Sequence, residues 1–316
     1  MSGRLFRLSQ GEKPTEIVPS RFVIERELQR LLEAHLQEFL GVRFLASEHS
    51  TGIRHGGRID TLGLDENNFP VIIEYKRETH ESVINQGLYY LDWLMHSRAE
   101  FQLLVQSKLG AEVAAEINWS APRLICVAGD FTRYDRHAVQ QINRHIELVK
   151  YLRYGDDLIM LELTNTPVRV AATSSPAGAT APVTVADVSV PASSVPAAAD
   201  NVEATLQKSG PATQALFGAL DGFIRGLDEQ AVEVKALKLY FAYKKLRNFA
   251  TVVPGKSELW LYLHLDPATV SLNPQNMRDV TSIGHWGTGN LEITLNSEAD
   301  LEEVKPLIQR AFETHA

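Results

Sequence analysis

Residues 171–201, AATSSPAGATAPVTVADVSVPASSVPAAADN, restrict the folding of this chain more than any other stretch; they hold no aromatic residue and few charges. Side chains this small bury too little apolar surface to offset the entropy of ordering the backbone, and the recurring prolines favour an extended tether. One continuous core is therefore excluded. The chain is expected to divide into a domain over 1–168, a disordered Ala/Ser/Pro-rich linker over 169–201 and a second domain over 202–316. With 316 residues in total, each flanking part is long enough to bury a core of its own.

In the first part, Leu28, Leu31, Leu32, Leu36, Phe39 and Leu40 recur mostly at three- and four-residue spacing. That spacing predicts an amphipathic helix over 21–40 that Gly41 stops. Extended segments follow at 43–47, 57–64 and 71–77, then a helix over about 81–97, a short buried strand over 123–128, a helix over 136–150 and a strand over 157–163. This order implies an α/β domain, a mixed sheet flanked by helices on both faces. The second part reads as a small α+β unit with an antiparallel sheet: a helix over 212–226, strands over 237–244, 258–265 and 290–296, and a helix over 300–314 that Ser297 caps.

The chemistry lies in residues 56–78, GGRIDTLGLDENNFPVIIEYKRE, where two apolar-rich strands flank the turn-forming cluster Asp65-Glu66-Asn67-Asn68. Alternation sends Arg58, Asp60, Leu62 and Leu64 to one face, and Ile72, Glu74 and Lys76 to one face of the second strand. A hairpin centred on Asn67 puts Asp60 opposite Glu74, with Cβ atoms about 5 Å apart. Two carboxylates and an ammonium group then converge. Such acids can hold Mg²⁺ or Mn²⁺, hard ions that prefer oxygen ligands, and a lysine beside them can orient the attacking water or stabilise charge on a phosphate. The plainer reading is an exposed cross-strand ion pair of little consequence. Opposed like charges are destabilising, however, which argues for a compensating ion or partner. Glu-x-Lys alone is uninformative: it recurs at Glu233-Val234-Lys235 and Glu303-Val304-Lys305. Only the copy at Glu74 has an Ile-Asp on a preceding strand.

Other classes recede. The ten histidines show no metal-ligand spacing, Gly56-Gly57 is not followed by the Gly-Lys-Ser/Thr of a phosphate loop, and no apolar run approaches a membrane span. The single cysteine, Cys126, lies in an apolar run and reads as a core residue; with no secretory signal at Met1-Ser2-Gly3-Arg4, a cytoplasmic location is expected. The net charge of −8 does not exclude a nucleic-acid enzyme, which needs positive charge only along one cleft.

Gly57-Arg58-Ile59-Asp60, Val71-Ile72-Ile73-Glu74-Tyr75-Lys76-Arg77 and the Gln86/Tyr90 pair together resemble the core of the PD-(D/E)XK nuclease superfamily, and most closely its NucS-like and RecB-like endonuclease branches. The resemblance covers residues 20–95; Ile59 replaces the eponymous proline. It implies a restriction-endonuclease-like fold and a magnesium-dependent endonuclease acting on nucleic acid, with DNA as the expected substrate. By the same resemblance Asp60, Glu74 and the Tyr75 carbonyl are metal ligands, Lys76 is the catalytic lysine, Gln86 supports the site and Tyr90 packs or touches substrate. A glutamate of the preceding helix lies near the metal in these branches, which points to Glu27 first and Glu33 second. Arg54, Arg58 and Arg77, with His55, flank the site and are candidates for phosphate binding. The alternative is a nuclease-fold protein that binds nucleic acid or a protein partner without cutting.

In the second part, Leu239-Tyr240-Phe241-Ala242-Tyr243-Lys244, Asn248-Phe249 and His285-Trp286-Gly287-Thr288-Gly289 resemble domain of unknown function 5655. Lys244, Lys245 and Arg247 read either as a nucleic-acid contact or as a solvated cluster on an accessory domain. A homodimer is an open reading.

Overall fold

A computed structural model describes residues 4–8, 13–22, 24–77, 82–165, 201–229, 232–283, 285 and 287–315. The expected linker lies outside these, apart from Asn201, whose side chain accepts the Ala204 N–H and caps the first helix after it.

The first domain begins with a small ribbon, β1 (Leu5–Arg7) and β2 (Thr15–Ile17), and a short strand β3 (Pro19–Ser20). The predicted first helix is two: α1 (Glu25–Ala34) and α2 (Leu36–Leu40), broken at His35. Then come β4 (Val42–Ser50), a single turn α3 (Gly52–His55), and the hairpin β5 (Arg58–Asp65) and β6 (Pro70–Lys76). Three helices follow, α4 (Ser82–His96), α5 (Arg98–Leu109) and α6 (Ala111–Ala115), before the short strand β7 (Arg123–Ala128). The remainder is α7 (Arg133–Gln141), β8 (His145–Tyr154) and β9 (Leu158–Leu163).

The expectation of one helix over 136–150 is thus corrected. A Thr132/Asp135 capping box starts α7 early, the helix ends at Gln141, and 145–154 enters the sheet as a strand buried over most of its length. Strands β3-β8-β7-β6-β5-β4 lie side by side in that order, with β9 also on β8. β6, β7 and β8 run parallel, and the other pairs are antiparallel. Each face carries its own core. Leu28, Leu32, Leu36 and Leu40 of α1 and α2 pack on Val71, Ile73, Tyr75, Ile125 and Val127. On the other side Ile84, Leu91, Leu94, Phe101 and Val139 cover Leu62, Leu64, Ile72, Leu124 and Cys126. Alternation along β6 and β7 allots residues to the two faces.

The second domain comprises α8 (Val202–Lys208), α9 (Pro211–Gly226), β10 (Glu233–Ala236), β11 (Phe241–Lys244), β12 (Asn248–Pro254), β13 (Leu259–Leu263), β14 (Met277–Asp279), β15 (Leu291–Leu295) and α10 (Glu298–His315). Its antiparallel sheet runs β10-β11-β12-β13-β15-β14. The stretch predicted as one strand over 237–244 is the end of a hairpin, because Leu237–Tyr240 makes the turn between β10 and β11. Among the described residues no helix is long and apolar enough to cross a membrane.

The two domains meet at the turn of the β5–β6 hairpin, through polar groups. Arg123 is fully buried and forks between Asp65 (2.9 Å) and Glu147 (2.7 and 2.9 Å). Glu147 also accepts from Lys244 Nζ of the second domain at 3.1 Å, and this ring of cations holds its carboxyl well below the usual range despite full burial. Asn67 and Asn248 exchange amide hydrogen bonds (2.8 and 3.2 Å), Tyr240 donates to Asn67 at 3.1 Å, and the Asn248 N–H donates to Glu66 at 2.8 Å. Arg247 donates to the Glu38 carbonyl at the end of α2, and Leu246 joins the α1–α2 core. A side chain at Gly41 would sit 2.7 Å from both Arg247 and Glu66, and φ there is +62°, so glycine is needed on both counts. Lys244 and Arg247 therefore belong to the domain interface and not to a solvated cluster, and Lys245 stacks on Phe312.

Removing one member of such a network leaves buried charge without a partner. Arg123→Met is expected to lower the unfolding free energy by about 3–5 kcal/mol in urea titrations. A loss under about 1 kcal/mol would show that Asp65 and Glu147 do not depend on it.

Candidate active site

The hairpin closes in the register its sequence predicts: Leu64 faces Pro70, Leu62 faces Ile72 and Thr61 faces Ile73. One step further Asp60 meets Glu74, and there the carboxylates replace the main-chain ladder. The Asp60 N–H donates to Glu74 Oε1 at 3.2 Å, and the Tyr75 N–H donates to Asp60 Oδ2 at 3.0 Å. Glu74 is wholly buried, and its Oε2 has no hydrogen-bond partner among the described residues. Burial first, and then the charge of Asp60, push the Glu74 carboxyl up to about 9. Asp60 is raised too, chiefly by burial, against the opposing pull of the Tyr75 N–H and Lys76. Both acids thus resist ionisation, and with the orphaned oxygen of Glu74 between them they could serve as two ligands of a hard cation. Among the described residues no three or more His, Cys, Asp or Glu side chains are gathered closely enough to form a metal cage.

Lys76 follows on the same strand, and its charge acts on both carboxyl groups. Its Nζ lies 3.3 Å from Glu25 Oε1, while Glu25 Oε2 accepts the Arg77 N–H at 3.1 Å. Glu25, not Glu27, is thus the acid of α1 that reaches the site, and Glu27 is exposed. The helix begins at Glu25, and the three- and four-residue steps from it lead to the buried Leu28, Gln29 and Leu32. Glu27, two residues on, falls on another side. That spacing was present in the sequence, but a helix start placed at Arg21 hid it. Glu33 accepts from Thr61 Oγ1 at 2.6 Å and helps hold the hairpin, with Gln29 donating to the Asp60 carbonyl at 2.9 Å. The Tyr75 ring is buried on the α1 side, its hydroxyl 3.3 Å from Thr61.

Gln86 and Tyr90 do converge on the site's edge. Gln86 Nε2 donates to the Tyr90 hydroxyl at 3.3 Å, and that hydroxyl accepts the Arg58 N–H at 3.2 Å. Any Cβ on Gly57 would lie 2.7 Å from the Tyr90 ring, so glycine lets the ring pass beneath β5. Tyr90 is buried and packs. Tyr89 is exposed and donates to the His55 carbonyl at 2.8 Å, whereas Trp93 is buried. Arg58 is exposed and paired with Glu48 at 2.7 Å, and Arg77 is exposed beside Lys76. Arg54 lies in α3, and its side chain falls outside the described residues.

Simple alternation fails at one place. Ser47 and Thr61 face α1, bonded to Gln29 and Glu33, but two residues along each strand His49 packs tilted against Trp93 and Ile59 joins the opposite core. Between them Glu48 adopts φ +52°, which turns the strand over opposite Asp60.

Comparisons with known proteins add the following. Residues 202–315 match the family model described as domain of unknown function (DUF5655). An uncharacterized protein of Haemophilus influenzae is 29% identical over 315 residues, covering 98% of this chain and 99% of its own length. Among solved structures, a repair endonuclease from Pyrococcus abyssi is similar at 20% identity and a TM-score of 0.28, over 42% of this chain and 49% of that one. EndoMS in a complex with double-stranded DNA is similar at 16% identity and a TM-score of 0.28, over 47% of this chain and 65% of that one. The chain therefore spans about half to two-thirds of those two proteins.

The raised Glu74 carboxyl has a measurable consequence. Unfolded, the group titrates near 4.5 and is ionised above that; folded and without a cation it keeps its proton to about 9. The native state thus binds the extra proton throughout this window, so stability falls as pH rises across it. The melting temperature of chelator-treated protein should decline from about pH 5 to about pH 9, and Glu74→Gln should flatten the decline. Equal slopes in both proteins would refute the assignment.

Proposed function

We propose that this chain is a divalent-cation-dependent nuclease that hydrolyses phosphodiester bonds in nucleic acid, with DNA as its substrate. The observation that carries the reading is the pairing of Asp60 and Glu74 across the hairpin, Glu74 Oε2 left without a partner, with Lys76 beside them. A purely structural ion pair would not bury two opposed carboxylates and push both towards the neutral form.

Asp60, Glu74 and the Tyr75 carbonyl would hold the cation, Mg²⁺ or Mn²⁺. When bound there it supplies charge neutralisation for the scissile phosphate and acidifies water. Lys76 orients the attacking water and offsets the charge that grows on the phosphate oxygens. Glu25 positions Lys76 by ion pairing and fixes the strand end through the Arg77 N–H. Gln86 and Tyr90 set where β5 begins, and with it the height of Asp60. Arg58 and Arg77, both exposed near the strand ends that carry the carboxylates, would take phosphates of the substrate.

The test is direct. Purified protein incubated with plasmid, single-stranded, branched and mismatched DNA should cut in Mg²⁺ or Mn²⁺ and not in EDTA. Lys76→Ala and Asp60→Ala should each reduce cutting by about a hundredfold or more. Cutting that survives both substitutions removes the site assignment. Cation-independent binding without cutting on any substrate would make the chain a nuclease-fold binding protein.

A further inference from the structure

β9 ends the sheet of the first domain. It pairs with β8, and β3 meets the same Arg153 and Tyr154 of β8 from the other edge, so among the described residues no strand lies on the outer side of β9. A free edge offers a row of unpaired N–H and C=O groups to any second strand. The other sheet edges are guarded. β4 shifts register between Phe44 and Ala46 and is kinked at Glu48, while β10 and β14 are only four and three residues long. β9 is six residues long, Leu-Ile-Met-Leu-Glu-Leu, with an unbroken register and none of the proline, glycine or lysine that blunts an edge. Leu158 and Met160 are exposed on it.

The ladder decides which main-chain groups are free. The Thr164 N–H donates to the Leu148 carbonyl opposite it, at 2.8 Å. In an antiparallel pair this alternates, so Glu162, Met160 and Leu158 also turn their main-chain groups to β8. Those of Ile159, Leu161 and Leu163 point outward. A second antiparallel strand can bond to them only through its own outward-facing residues. Between two copies of β9, centring the pair on Leu161 engages all three. Leu161 meets the partner's Leu161, and Ile159 meets the partner's Leu163, each exchanging both bonds. Met160 then faces the partner's Glu162, so the one charge on the strand never opposes its own copy. Near the start of β9, Arg7 lies 3.7 Å from Asp157 and brings the β1–β2 ribbon beside the β8–β9 turn. That ribbon and its flanks leave Leu5, Phe6, Leu8 and Val18 exposed, although a lone two-stranded ribbon has little stability of its own.

We propose that β9 is the surface through which two copies of this chain associate. The strands join antiparallel about a twofold axis through Leu161, and one sheet continues into the other. The exposed apolar groups of the ribbon border the same surface. The self-matching register singles out a second copy as the occupant, since it satisfies every outward main-chain group of Ile159, Leu161 and Leu163 without opposing like charges.

Sedimentation velocity on the full chain should show a dimer that dissociates on dilution. Met160→Glu sets like charges opposite each other at both symmetry-related places and should weaken the dimer about tenfold. Met160→Lys sets opposite charges there and should leave it as strong or stronger. Position 160 is exposed, so neither change threatens the fold. Met160→Cys combined with Glu162→Cys puts thiols on directly opposed residues, about 4.5 Å apart at Cα, and should give a disulfide-linked dimer on mild oxidation. Either cysteine alone should not, and the buried Cys126 does not compete. A chain that is monomeric at every concentration overturns the proposal. So does a dimer that Met160→Glu leaves unchanged and that the paired cysteines fail to link.

Discussion

The Arg123 guanidinium, buried between Asp65 and Glu147, is the contact on which the arrangement of the whole molecule depends. It lies at the start of β7 and reaches sideways in both directions: to Asp65 at the end of β5 and to Glu147 on β8. A guanidinium is suited to this because its planar fork can engage two carboxylates while remaining charged in a dry interior. Asp65 in turn accepts the N–H groups of Asn67 and Phe69, which fixes the hairpin turn. Register in a hairpin follows from its turn. The alignment of Asp60 with Glu74, several residues away, is therefore set at the Arg123 end.

The two ends of the same hairpin satisfy charge to different degrees. At the turn, Asp65 and Glu147 have cations and donors, and Glu147 ionises readily despite complete burial, while burial pushes Glu66 beside them up to about 7. At the open end, two carboxylates face each other with one lysine nearby, and Glu74 holds its proton to about 9. The satisfied end supplies the stability that lets the unsatisfied end persist, as expected where function demands a locally unfavourable arrangement. Glu48, in a backbone conformation glutamate avoids, adds to the strain at that end.

Much of this was readable in the residues. Two alternating strands around Asp65–Asn68 gave the hairpin and its centre at Asn67, because side chains repeat every two residues and turn residues are distinctive. The run Arg123–Ala128 was equally clear as a short buried strand. His145–Tyr154 was not, because a central parallel strand buried on both faces loses its alternation, and Ile142, Ile146 and Val149 mimic a helical stripe. Glu25 was hidden by a misplaced helix start. Lys244, Asn248 and Glu66 carry no apolar pattern, so their burial between domains left no trace in periodicity.

That polar interface also explains how a second domain can be attached through a long, poorly hydrophobic segment and still dock in one way. Covalent attachment raises the effective concentration of one domain near the other, so the contact need not be strong in itself. What it must be is selective. Apolar faces slide; the reciprocal amide pair Asn67–Asn248, the Lys244–Glu147 ion pair and the cramped approach at Gly41 each admit one geometry. Any displaced docking leaves Glu147 with a partner fewer and breaks the Lys244–Glu147 ion pair, and each such loss is costly. The second domain is thereby held against the turn of the hairpin, at the far end from Asp60 and Glu74, where it can stiffen the site without covering it.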